Sequence, residues 1–151
     1  MSASVDANVL IYAANEDDPA NGAARALIER LAAGPDLLYL FWPTLMAYLR
    51  ITTNSRALRR PLTPDKAVEN VDGLLRLPHV VAGTEGRSFW QTYLDSGGAT
   101  FRGNLVPDAH LAALMRDNGV RILYTRDRGF RRFDFLDVRD PFAHRVNESS
   151  R

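Results

Sequence analysis

Three aspartates occupy positions where an acid is seldom needed for structure alone. Asp108 lies in the first turn of a helical stretch running from Asn104 to a turn at Asn118-Gly119. It shares a side there with Leu111, Ala112 and Met115, the side a core would cover. Asp127 follows the apolar run Ile122-Leu123-Tyr124-Thr125 and so stands at the carboxyl end of an expected strand. Asp6 does the same after the short apolar start Ser2-Ala3-Ser4-Val5, and a helical pattern of Val9, Leu10 and Ala13 follows at once. In open α/β sheets, sites form in the crevice outside the carboxyl ends of the strands. Two of the acids thus end strands, and the third opens a helix on the same edge. The plain alternative for Asp6 is an N-cap, a bond to free helix amides worth about 1 kcal/mol.

Three carboxylates gathered in a half-buried pocket repel one another unless they are protonated or a cation cancels their charge. Mg²⁺ or Mn²⁺ suits such a set, being hard ions that take oxygen ligands and keep several waters. A metal held this way activates water and stabilises charge building on a phosphate during in-line hydrolysis. Arginines would hold a polyanionic backbone beside it. Arg126, Arg128, Arg131 and Arg132 cluster around Asp127, and Arg50, Arg56, Arg59 and Arg60 form a second basic patch. Other chemistries lack their motifs: there is no Gly-rich loop ending in Lys-Ser or Lys-Thr, no Gly-x-Ser-x-Gly and no His-Glu-x-x-His. The three histidines are scattered, and His110 reads as a helix-packing residue.

Positioning these acids requires a scaffold, and the apolar pattern supplies one. Strands are expected at Ser2–Val5, Leu37–Phe41, His79–Ala82 and Ile122–Thr125. Between them lie paired helices: one after Asp6 ending near Asn15, then one from Pro19 to about Ala33. A third is opened by Trp42-Pro43 and runs to about Thr53, a fourth spans Asp65–Leu77, a fifth Glu85–Leu94, and the last carries Asp108. Strands alternating with helix pairs argue for an α/β fold with a mostly parallel sheet flanked by helices. Residues 1–142 are expected to form a single domain and 143–151 a polar tail.

Composition narrows the class. A chain of 151 residues with 46% hydrophobic content has room for a sizeable core, and its net charge of +1 gives no bulk field towards nucleic acid or membrane. The absence of cysteine excludes disulfides, thiol catalysis and thiolate metal sites. No leader-like segment opens the chain, and no apolar run nears the roughly 20 residues of a membrane span. A cytoplasmic protein without membrane contact is the expectation.

At four places the chain resembles the PIN-domain ribonucleases, and within them the VapC toxins of bacterial toxin–antitoxin pairs. The matching pieces are Ser4-Val5-Asp6-Ala7-Asn8-Val9-Leu10, Tyr48-Leu49-Arg50, Asn104–Leu114 and Thr125-Arg126-Asp127, in order along nearly the whole chain. The resemblance implies a PIN-like three-layer sandwich and a Mg²⁺-dependent endoribonuclease. It also implies a homodimer and a small cognate antitoxin that blocks the site. It assigns Asp6, Asp108 and Asp127 as metal ligands and catalytic acids, with Asn8, Asn104 and Thr125 in supporting polar positions. The chain departs from the pattern twice. Many members carry Glu before the aromatic-Leu-Arg triplet, where this chain has Ala47, and a second Asp where it has Gly129. The alternative these departures raise is a weakened PIN domain that binds RNA or a protein partner without cutting.

Overall fold

The computed structural model describes residues 1–143. The expected tail therefore falls, apart from Ala143, outside the described residues. Five parallel strands form one sheet in the order β3-β2-β1-β4-β5: β1 Ala3–Val5, β2 Leu38–Phe41, β3 Val80–Gly83, β4 Ile122–Tyr124 and β5 Asp137–Arg139. Six helices connect them: α1 Ala7–Ala14, α2 Asn21–Ala32, α3 Trp42–Thr52, α4 Pro64–Leu75, α5 Phe89–Asp95 and α6 Leu105–Asp117. None is long and apolar enough to cross a membrane.

Side-chain alternation along the strands divides the core into two faces, as a period of two demands. Ala3, Val5, Leu38, Leu40, Ile122 and Tyr124 pack with α1 to α4. Tyr39, Phe41, Leu123 and Val138 turn the other way, against α6, Tyr93 of α5 and the segment around Phe130 and Phe133. Helices on both faces of the sheet give the three layers. Ser4 lies fully buried in the central strand, and its hydroxyl donates to the Tyr39 carbonyl at 2.7 Å, so its burial leaves no polar group unmet.

Strand order places the site. From β1 the chain winds outward through β2 to β3, then crosses back to enter β4 on the other side of β1. The sheet therefore changes winding direction between β1 and β4, and at such a switch point the loops diverge and leave a crevice. Residues Val5 and Tyr124 pair in register at the carboxyl end of these two strands. The Asp6 amide extends the ladder by donating to the Tyr124 carbonyl at 3.0 Å.

The structure differs from the sequence expectation in two elements. β5 was not expected: it is three residues long with one apolar side chain, Val138, and backbone pairing with β4 holds it. α5 begins at Phe89 rather than Glu85, because Glu85 is drawn across to His110, whose Nε2 lies 2.7 Å from its carboxylate. The turn after α6 is as expected: Gly119 adopts φ 70°, and the Val120 amide donates back to the Met115 carbonyl at 2.8 Å.

Candidate active site

Asp6, Thr125 and Asp127 are tied together at the switch point by one hydroxyl. Thr125 Oγ1 donates to Asp6 Oδ2 at 2.9 Å and accepts from the Asp127 amide at 3.0 Å. Thr125 is 1% exposed, and its own amide donates to the Arg139 carbonyl of β5 at 3.0 Å, so both of its ends are fixed by the sheet. Asp6 occupies the N-cap position of α1 yet makes no capping bond of proper geometry. The amides of Ala7 and Asn8 lie close enough only to favour its charge. The carboxylate thus serves the crevice rather than the helix end. Asp127 is exposed and caps the short 3-10 helix Arg128–Arg132, with Oδ1 accepting from the Gly129 amide at 2.8 Å.

Electrostatics bring Asp108 into the same space. Its carboxyl, half-buried in the first turn of α6, is pushed up to about 6 by burial and then by the charges of Asp127 and Asp6; the Arg132 guanidinium opposes them. Burial also raises Asp6, and Asp127 adds to that, while the Thr125 hydroxyl pulls the other way. Two acids that feel each other and a third across the crevice form one charge cluster. Among the described residues, no three acidic or histidine side chains are closed around one point. The donor chemistry nonetheless suits a hard divalent cation: it is oxygen only, and the upward shifts of the partly buried Asp6 and Asp108 are ones a cation would relieve.

Other expected residues fare differently. Asn8 and Asn104 are exposed, and Asn104 precedes α6 without a side-chain cap. Ala47 is half-buried in α3 beside Tyr48, whose hydroxyl accepts from Asn70 Nδ2 at 3.0 Å. At Gly129 a Cβ would stand 3.0 Å from Asp127 Oδ1, so a side chain there would crowd the capping carboxylate. Arg126 lies over two rings, 5.2 Å from the centroid of Tyr12 and 4.7 Å from that of Phe142. Its face is therefore taken, while Arg128 and Arg131 stand exposed. In the second basic patch Arg60 is committed to Asp17, with bonds of 2.6 and 3.1 Å. Arg132, read from sequence only as one of the arginines clustered around Asp127, is the one whose charge reaches Asp108. Its signal was its place at the end of the turn that Asp127 begins.

A cavity of ≈ 580 Å³ lies elsewhere, among α1 to α4, with Leu10, Ile28, Leu45 and Leu74 in its wall and Glu16, Arg25, Lys66 and Glu69 also lining it. None of the three aspartates lines it.

The PIN domain pattern matches residues 3–136. Ribonuclease VapC48 of Mycobacterium tuberculosis is 43% identical over 95% of this chain and 99% of its own. Two solved structures share the fold. The Sarcin-Ricin loop cleaving toxin VapC20 of the same organism has a TM-score of 0.66 and 19% identity, covering 91% of this chain and 99% of that one. VapBC-1 from nontypeable Haemophilus influenzae gives a TM-score of 0.66 and 14% identity, covering 95% of this chain and 100% of that one. The fold is what these structures have in common with the chain, and on the PIN domain match over residues 3–136 and the 43% identity it belongs to the PIN-domain family, in its VapC branch.

Proposed function

We propose that this protein is a divalent-cation-dependent endoribonuclease and acts as the toxin of a toxin–antitoxin pair. The observation that carries the proposal is the charge cluster at the switch point: Thr125 links Asp6 to Asp127, and their charges help lift Asp108 to about 6. Kinship to ribonucleases named VapC supports RNA as the substrate. Asp6, Asp108 and Asp127 would hold Mg²⁺ or Mn²⁺, which when bound supplies an activated water and neutralises charge building on the phosphate. Thr125 fixes the Asp6 carboxylate and the backbone at Asp127. An ionised carboxylate of the cluster can take a proton from the attacking water as the new phosphorus–oxygen bond forms. The bond to the departing sugar oxygen then breaks, and solvent or an acid of the cluster returns the proton to it. Exposed Arg128 and Arg131 would carry neighbouring phosphates.

A small antitoxin resembling VapB is the protein partner we propose, supported by likeness in fold to the toxin chains of VapBC assemblies. A homodimer in the cytoplasm completes the reading. Trp42 and Met46, one turn apart on α3, are 40% and 50% exposed and offer apolar surface for a second copy. The test is cleavage of RNA by the purified protein with Mg²⁺, with chelator, and by Asp6→Asn. Cleavage that needs the cation and Asp6 upholds the proposal; RNA binding with no cleavage under any divalent cation favours the non-cutting alternative.

A further inference from the structure

The short 3-10 helix Arg128–Arg132 joins an acid at one end to a base at the other. Its first peptide groups are fixed by Asp127, whose Oδ1 accepts the Gly129 amide at 2.8 Å. Its last residue folds back on the same glycine, with Arg132 Nε donating to the Gly129 carbonyl at 3.2 Å. Gly129 is thus held at its N–H by the acid and at its C=O by the arginine. The apolar side of the turn, Phe130 and Phe133, packs in one cluster with Ala109 and Leu111 of α6, next to Asp108 in sequence. Arg132 therefore leaves the turn beside the opening of α6, with its terminal nitrogens unused by any ion pair among the described residues. No other arginine among the described residues combines these features. Arg126 is stacked on aromatic rings, Arg60 and Arg139 are paired with Asp17 and Asp137, and Arg128 and Arg131 show no bond that aims them at the crevice.

We propose that Arg132 contacts the phosphate undergoing cleavage, aimed by its Nε bond to Gly129 so that its two terminal nitrogens face the crevice bounded by Asp108 and Asp127. The guanidinium fork suits two oxygens of one phosphate. Holding Nε in place orients the side chain before substrate arrives, which is how fixed donors act on developing charge. Its positive charge also opposes the repulsion of the acids at Asp108. This inference rests on the ribonuclease reading, and it assigns Arg132 a role in the chemical step rather than in general RNA affinity.

The test compares Arg132→Gln, Arg132→Lys and Arg128→Gln with wild type on one RNA oligonucleotide at saturating Mg²⁺. Arg132→Gln should lower kcat roughly 100-fold, the scale of removing one preorganised donor, with KM changed less than about threefold. Arg132→Lys, which keeps the charge, should recover about tenfold of that loss. Arg128→Gln should instead raise KM at nearly constant kcat. A kcat for Arg132→Gln within threefold of wild type overturns the proposal. Equal losses in the Gln and Lys variants with a lowered thermal midpoint also overturn it, since Arg132 would then merely hold the turn together. Should wild type cut nothing, the ribonuclease reading falls and RNA affinity in chelator decides the contact. A salt dependence in Arg132→Gln shallower by about one phosphate contact upholds it, and an unchanged slope overturns it.

Discussion

The cavity among α1 to α4 and the carboxyl edge between β1 and β4 both border α1, yet they are built from opposite materials. Leu10 and Ala13 of α1 line the cavity, whose walls are largely aliphatic and whose charged residues include both signs, Glu16 and Glu69 with Arg25 and Lys66. Asp6, one residue before α1, opens on the strand edge beside two further carboxylates of the same charge. Volume and charge stress are thus separated by less than the length of one short helix. A recess of ≈ 580 Å³ with balanced charges can take apolar side chains without changing any protonation state. A strained acid cluster is suited to a small cation and a phosphate. A roomy hollow is therefore a poor guide to a protein's chemistry when the substrate is an exposed polyanion.

The sharpest way to break this comparison is to remove charge from the edge. Asp108→Asn should reduce RNA cleavage at least about 100-fold and leave the thermal midpoint unchanged or higher, because the side chain it replaces is repelled in the folded protein. Cleavage within threefold of wild type would move the chemistry elsewhere. Thr125→Val tests the link between acids. The change keeps shape but leaves Asp6 Oδ2 and the Asp127 amide without their shared partner, costing about 1–3 kcal/mol of stability by denaturant midpoint, with a lower cleavage rate. An unchanged midpoint would mean that the hydroxyl carries no strain for the cluster.

The next effect is smaller and has a defined sign. Asp108 is raised to about 6 in the folded chain and titrates near the ordinary carboxylate range when unfolded, so the folded state binds its proton more tightly. Stability in chelator should fall as pH rises from about 4 to about 6 and level off above. Discounted for its partial exposure, the contribution is about 1 kcal/mol. The difference between wild type and Asp108→Asn isolates it, and saturating Mg²⁺ should abolish the slope. A slope shared by both proteins would assign the titration to another group. The smallest effect belongs to the cavity. Gly73 lines it from α4, and a Cβ there meets nothing within 4 Å. Gly73→Ala should stabilise by roughly 0.5–1 kcal/mol through helix propensity and leave cleavage untouched. A change in cleavage would show that the two regions communicate.

The acids were legible because each breaks a local rule. Asp108 sits on an apolar helix face, and Asp6 and Asp127 follow runs that read as buried strands. Parallel topology was legible for the same reason, since β1, β2 and β4 are apolar and each is separated from the next by helical periods. What could not be read depends on residues far apart in the chain. Nothing near Glu85 announces His110, so the start of α5 was misplaced. Val138 alone does not identify β5, whose strand character comes from pairing with β4. Arg126 reads as a phosphate ligand, and its packing against Tyr12 and Phe142 could not be read from either end of the chain. Arg132 reads as one of four clustered arginines until its bond to Gly129 sets it apart.

The hydrogen bond from Thr125 to Asp6 spans 119 residues of sequence. Contacts of such separation are slow to form and are reached only after much loop-closure entropy has been overcome. β1 cannot complete its place until β2 and β4 flank it, so a partly folded chain holds Asp6 and Asp127 without bringing them together. Collapsed or half-folded forms therefore lack the acid cluster altogether. For a protein proposed to cut RNA, the fraction of active molecules would track the fully folded population, and a newly made chain would be harmless until its last crossing strand is in place.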